Sequence, residues 1–477
     1  MKLRSTLVAL ACLASLGSAQ ALTATEVAAA RDAGTLVEVR LSGASALRLL
    51  IASYIKEDLA QAGTFDVFFF GNGADHRGYS FKSKVAIGSW PVGTNFLITK
   101  RDAGGSGQGV TPLLNGGDAT QAHMLVNGSC TQTGASPATD IQAAGFTCTT
   151  TTQAKAHAGI SDVEPALLQA PINNGTGLDV SGLDAAGFVQ NIFGVAVNKK
   201  LYLALQKAQG LDSAGAINES DAATPSIPKS FITGALTGQL LGNSSSKKGW
   251  NLLIPASVDA DVLTKRINVC RRTPGSGTQA ASNVYFANNP CASGSSVYAP
   301  TAGTTNATLS VTGSATTKQG SSSQLVETCL ADVDNLAGQG YAMGVLGREN
   351  NPRPVVNGVQ QDKLYRFVKI SGAAPTRAAV ISGDYDFVVE SSFQWAKTGA
   401  ANAPSADMLA LLTKMRTEMG KASVLATLDP DLQNGLVATP ATILSGSWAD
   451  LPAADKAFTA HTNRSTGNSC SPVRMTK

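Results

Sequence analysis

The chain has 477 residues, of which 15% are charged and 6% aromatic, with a formal net charge of +4. That length predicts roughly two or three domains, and so balanced a charge excludes a non-specific nucleic-acid binder, which needs a broadly basic surface. The first residues read as an export segment: Lys2 and Arg4, an apolar stretch from Leu7 to Leu16, and the small-residue site Ala19-Gln20-Ala21. Its removal would take the net charge to +2, since Lys2 and Arg4 leave and no acid does. Ala9-Leu10-Ala11 before Cys12 is a poor lipid-attachment box, and no later apolar run approaches the ~18 residues of a membrane helix. An exported protein without membrane insertion is expected.

After the leader, TLVEVRL (35–41) has strand character, and Ser42-Gly43-Ala44-Ser45 leads into LRLLIASYIKEDLAQ (47–61), which is apolar at helical spacing. FDVFFF and TNFLITKR read as strands. The turn Gly105-Ser106-Gly107-Gln108-Gly109 then opens VTPLL, a predicted helix with Pro112 in its first turn. Residues 114–158 read as a Thr-rich insertion holding Cys130 and Cys148. GFVQNIFGVAVNKKLYLALQ (187–206) reads as a long apolar strand followed by a helix. PKSFITGALTGQLLG is amphipathic, with Phe231, Ile232, Ala235, Leu236 and Leu240 on one face. RINVCRR is a strand ahead of the second turn, Thr273-Pro274-Gly275-Ser276-Gly277-Thr278, and QAASNVYFA is its helix. Residues 292–325 are low in complexity and read as a flexible surface excursion. GYAMGVLG, KLYRFVKI and YDFVVESSFQW resume the strand pattern, and DMLALLTKMRTEM is a helix. Strands alternating with helices predict an α/β fold.

Six cysteines remain once Cys12 leaves: Cys130, Cys148, Cys270, Cys291, Cys329 and Cys470. An even number in an oxidising compartment predicts disulfides, although spacing leaves the connectivity open. Local closure favours Cys130–Cys148 and Cys270–Cys291, leaving Cys329 for Cys470. There is no C-x-x-C, and His76, His123, His157 and His461 lack ligand spacing, so no metal or other cofactor is expected.

The two Gly/Ser turns matter because a helix N-terminus offers unpaired N–H groups and partial positive charge to an anion. Their order with other landmarks resembles the substrate-binding component of phosphate ABC transporters, a type II periplasmic binding protein family. The landmarks are SGASA (42–46), GSGQGV (105–110), GISDVEP (159–165), FVQNIFGVAVN (188–198), ITGALTGQLLG (232–242) and RRTPGSGT (271–278). The resemblance implies a two-lobed α/β fold with an interlobe cleft and two hinge crossovers, one at 188–198 and the return near 341–348. It implies lobe 1 over 22–192, lobe 2 over 193–345, and lobe 1 completed by 346–477. It also implies anion-binding roles for Ser106, Arg272, Ser276, Gly277 and Thr278. Asp162 would accept a hydrogen bond from a protonated phosphate oxygen, and Ser45 would stand in for a missing threonine of the first loop.

Departures fall where specificity is set. Leu47-Arg48 replaces Thr-Phe, and Pro274 replaces an Asp that orients the arginine. Arg271 and Arg272 alternate on their strand, so only one of them should reach the cleft. Read alone, Asp162 is an N-cap and Arg48 a solvated charge. The function implied is non-enzymatic: capture of inorganic phosphate or a related oxyanion by a monomeric periplasmic protein serving an ABC permease. The alternative is a secreted or surface-associated protein that keeps the fold without transport. A hydrolase using Ser106 or Ser276 is disfavoured, since neither lies in a G-x-S-x-G elbow or beside a histidine partner.

Overall fold

A computed structural model describes residues 22–240, 249–292, 299–356, 359–428, 435–440, 447–464 and 468–476. The expected export segment lies outside the described residues, as do Leu241-Gly242 and 293–298 of the expected excursion. Ahead of the first strand stands a helix the sequence reading passed over, α1 (Ala24–Asp32), whose Thr23 and Glu26 form a capping box.

The first half of the molecule holds β1 (Leu36–Gly43), α2 (Arg48–Tyr54), β2 (Asp66–Phe70), β3 (His76–Lys82), β4 (Asn95–Arg101) and β5 (Ala158–Ser161). β6 (Leu183–Asn198) then carries the chain into the second half. There follow α3 (Lys199–Gln209), α4 (Lys229–Leu236), β7 (Asn268–Arg272), α5 (Gly277–Ala287), β8 (Thr316–Gly320), α6 (Ser323–Asp334), β9 (Ala342–Gly347) and β10 (Tyr365–Ile370). β11 (Val388–Ala396) returns to the first half, where α7 (Ala406–Glu418) packs.

Along the main sheet the order is β8-β7-β9-β6-β11-β5-β1-β4-β3-β2. β1 runs parallel to β4 and β5, and β7 parallel to β8 and β9. β6 is the shared strand. Leu183–Ile192 pairs antiparallel with β11, whereas Phe193–Val197 pairs with β9 and Val195–Asn198 with β10. One half therefore packs around Leu41, Leu50, Ile51, Phe96, Leu411 and Met415, the other around Val195, Leu201, Ile232, Trp250, Val269 and Met343. Each such buried side chain contributes about 1.5–3 kcal/mol by leaving water. The result is a two-lobed α/β fold whose lobes share one strand.

Several expectations are corrected. VTPLL forms no α-helix: Ser106–Gly109 and Thr111–Leu113 are single 3₁₀ turns, because Pro112 gives no N–H and three glycines favour turning over helix. The return to lobe 1 falls later than 341–348. β9 and β10 both pair with the lobe-2 part of β6, and the chain regains the first half only at β11. An apolar strand pattern does not say which neighbour it will join. Residues 316–325 are also folded, as the edge strand β8 and the start of α6. Within 114–158, Phe146–Cys148 pairs with β2 and extends the sheet, so the insertion is partly built into it.

All six expected cysteines form disulfides, Cys130–Cys148 among them as expected. The other two pairs are Cys270–Cys329 and Cys291–Cys470, not Cys270–Cys291 and Cys329–Cys470. Cys329 lies on the buried face of α6, which packs against β7 where Cys270 sits, so contact in the sheet outweighs nearness in sequence.

Candidate functional site

The Gly/Ser turns do meet between the lobes. Gly107 N–H donates to Gly275 O at 2.7 Å, and Gly275 N–H donates to Asn173 O at 2.7 Å. Ser106 Oγ donates to Asp162 Oδ2 at 3.1 Å and accepts from Asp162 N–H at 3.1 Å. Gly277 seals this contact: a Cβ there would come within 2.4 Å of Ser106 Oγ and 2.6 Å of Asp162 Cβ. Ser276 caps α5 by accepting from Gln279 N–H, and Thr278 is buried in the first turn of that helix. Ser106, Asp162, Gly277 and their neighbours thus form a protein-to-protein seam. Asp162 is not the N-cap its isolated position suggested; it also accepts from Asn191 Nδ2 at 3.3 Å.

Arg272 lies at the edge of this seam and Arg271 turns elsewhere. Arg271 bonds Gln279, Asn283 and Thr301 O. Arg272 donates to Ser323 Oγ at 3.0 Å and to Ser321 O at 2.9 Å, and a Cβ on Gly105 would lie 3.4 Å from its Nη2. Its Nε is buried without a hydrogen-bond acceptor. Pro274 leaves no carboxylate beside it, and the charges that face it come from Asp162 and Glu349. Burial raises the pKa of Asp162, against the pull of Arg272 and Ser106. Burial, with the negative charge of Asp162 behind it, pushes Glu349 up to about 7.

Beside the seam an interlobe cleft of about 540 Å³ remains open. One wall carries Ser45, Ala46, Arg48, Leu49, Arg77 and Asp102–Gly105; the other carries Arg272, Ser321–Leu325, Glu349 and Asn350. Arg48 is not a free solvated charge. It donates to the carbonyls of Ser45, Gly73 and Ala74 and stands 3.7 Å from Asp102 Oδ2. Lys100, fully buried, holds the first loop by donating to Gly43 O, Ala44 O and Asp102 Oδ1. Of the expected anion ligands, Ser45 and Arg272 line the cleft, while Ser106, Asp162, Ser276, Gly277 and Thr278 do not.

Two functional features escaped the sequence reading. Gly320-Ser321-Ser322-Ser323 is a third strand–turn–helix unit: Ser322 caps α6, and the helix N-terminus opens on the cleft. Its signal, a Ser run followed by LVETCLADV, was hidden within a low-complexity stretch. Glu349 carried no signal, since a lone acid after an apolar strand is usually solvated. Among the described residues no group of His, Cys, Asp and Glu could hold a metal, and no helix is long and apolar enough to cross a membrane. The side chains of Ser106 and Ser276 bond Asp162 and Gln279, and His157 instead accepts from Arg40 N–H.

The fold and cleft define a two-lobed α/β protein with a charged crevice between the lobes. No protein-family model matches the chain and no curated protein matches it. Among solved structures, it is similar to a protein of Clostridium perfringens described as a phosphate ABC transporter substrate-binding protein with bound phosphate. Identity is 12%, with 84% of this chain and 99% of that one covered, at a TM-score of 0.39. An ABC-type phosphate transport receptor from Vibrio cholerae matches at 11% identity over 80% and 96% of the two chains, TM-score 0.34. PstS from Borrelia burgdorferi matches at 10% identity over 84% and 98%, TM-score 0.32. Likeness at this level carries no weight for function, which rests on the chain's own residues.

Proposed function

We propose that this is an exported, non-enzymatic solute-binding protein that captures phosphate or a related oxyanion in the interlobe cleft and delivers it to an ABC-type permease. One observation carries the reading: Arg272, almost wholly buried, lines the cleft at the point where two Gly/Ser turns and the N-terminus of α6 converge. A guanidinium in so dry a setting attracts an oxyanion far more strongly than one in water, and the N-terminal peptide groups of α6 add to that pull. The ligand takes the place beside Arg272, Ser45 and Ser321–Ser323 rather than between Ser106 and Gly277. Periplasmic residence is part of this reading, and the three disulfides and the export segment expected at 1–21 support it.

A second reading is favoured by the seam. Ser106 and Asp162 bond each other in both directions and Gly277 closes over them, so the most motif-like loops hold the lobes rather than a ligand. On that reading the fold persists in a secreted or surface protein without transport. Calorimetry on residues 22–477 with phosphate, arsenate and sulfate separates the two. Micromolar phosphate binding, competed by arsenate and lost in Arg272→Gln with the fold intact by circular dichroism, supports capture. An intact protein that binds none of the three anions supports the second reading.

A further inference from the structure

We infer that the cleft takes a phosphomonoester of a small polyol or amino alcohol in preference to free phosphate; this rests on the oxyanion-capture reading above. The first observation is the state of the lobes. They already touch through Gly107–Gly275 and through Asn283 Nδ2 on Asn173 Oδ1 at 2.8 Å. A disulfide, Cys291–Cys470, joins the segment after α5 to a C-terminal tail that Glu164 and Glu390 hold on the first half. The cleft of about 540 Å³ is therefore the room left when the lobes meet, not the gape of separated lobes. That volume lies within the roughly 300–1,000 Å³ of sites for organic ligands. A five-atom oxyanion takes the place of only a few waters at about 30 Å³ each.

The second observation is the chemistry of the two walls. On one, Arg272 lacks an acceptor for Nε and the α6 N-terminus presents Ser321–Ser323, a setting for a dianionic head. On the other, Asp102 is buried with Oδ1 taken by Lys100, while Oδ2 accepts no hydrogen bond and has only the Arg48 guanidinium near it, at 3.7 Å. Free phosphate satisfies only the first wall. A phosphomonoester carrying a hydroxyl or ammonium group brings an acceptor to Arg272 and a donor to Asp102 at once. Ala46 and Leu49, on the same wall as Asp102, offer apolar surface to a short carbon linker.

The test is calorimetry on residues 22–477, disulfides intact, with four probes: inorganic phosphate, glycerol 3-phosphate, O-phosphoethanolamine and phenyl phosphate, which has no donor on its organic part. Glycerol 3-phosphate or O-phosphoethanolamine should bind about tenfold or more tighter than phosphate, with phenyl phosphate showing no such gain. Asp102→Asn should bring the better ester down to the level of phosphate. Because Asp102 is paired with Lys100 and its loss could unfold the loop, Ala46→Phe provides the second arm. It narrows the cleft and should weaken ester binding at least about tenfold more than it weakens phosphate binding. Phosphate binding as tight as or tighter than both esters, or equal losses for ester and phosphate in Ala46→Phe, overturns the inference and leaves oxyanion capture standing. Binding of none of the four probes overturns both.

Discussion

Two regions between the lobes invite comparison. The seam of Ser106, Asp162, Gly275 and Gly277 has the motif-rich sequence, and its polar groups bond one another across the lobe contact. The cleft beside it is made from less conspicuous residues, Arg48, Asp102, Arg272 and Ser321–Ser323, and has both space and polar atoms without partners. A glycine that lets a backbone approach a ligand equally lets it approach another backbone. Which use prevails depends on what the opposite lobe presents, and here it presents Gly275 and Gly277. The seam sets how the lobes sit; the cleft beside it provides the room and charge for recognition.

The largest expected effect comes from cutting the covalent tie that supports the seam. Cys291 and Cys470 are 179 residues apart in sequence, so their bond removes much freedom from the unfolded chain. Loop entropy puts the loss at about 5 kcal/mol for Cys291→Ser/Cys470→Ser. The denaturation midpoint in urea should fall accordingly, and limited proteolysis should release the tail around Ser469. An unchanged midpoint would show that Glu164 and Glu390 hold the tail without help. The short-range bridge Cys130–Cys148, 18 residues apart, serves as the control and should cost less on the same entropic grounds.

A smaller effect comes from the carboxyl that faces both regions. Glu349 is partly buried at the cleft, and its pKa rises from the ordinary 4.5 to about 7. A raised carboxyl pKa means the folded state holds a proton that the unfolded chain has released. The stabilisation is complete below about pH 4.5 and lost progressively as pH climbs through 7, by an amount on the order of 3 kcal/mol. Glu164, partly buried and pushed up to about 7, shifts stability in the same sense. Urea denaturation from pH 4.5 to 7.5 should therefore show stability falling with pH, with a shallower slope in Glu349→Gln. An identical slope in the variant would mean that Glu349 is solvated in the folded protein.

The α/β alternation, the long apolar strand ending near Asn198 and the divergence of Arg271 from Arg272 were all legible, because periods of 2 and 3.6 are local properties. The disulfide partners of Cys270 and Cys291 were not. α6 lies across β7 through packing contacts that only the assembled sheet creates, and sequence nearness misleads there. The turn at Ser321–Ser323 was missed for a related reason: its composition is that of a flexible linker, and only the edge pairing of β8 with β7 gives it a fixed place. Ser106, Asp162 and Gly277 lie against one another with Arg272 at their edge, and the resemblance could not show that Gly277 would close over Ser106 and Asp162.

Ser106→Ala is the smallest perturbation and separates the two regions most cleanly. The hydroxyl serves Asp162 twice, as donor to Oδ2 and as acceptor from N–H, and removing it leaves both groups buried with one partner fewer. Unmet buried groups cost about 1–3 kcal/mol, and Asn191 still donates to Oδ1, which places the loss toward the lower end. If the seam is structural, stability falls by that amount while affinity for any ligand of the cleft stays within about twofold, since Ser106 does not line it. If the seam instead opens to admit the anion, Ser106 becomes one of its donors and affinity falls about tenfold or more, the worth of a charge-assisted hydrogen bond. Denaturation and calorimetry on this one variant, compared with Arg272→Gln, decide which surface of the lobe contact meets the ligand.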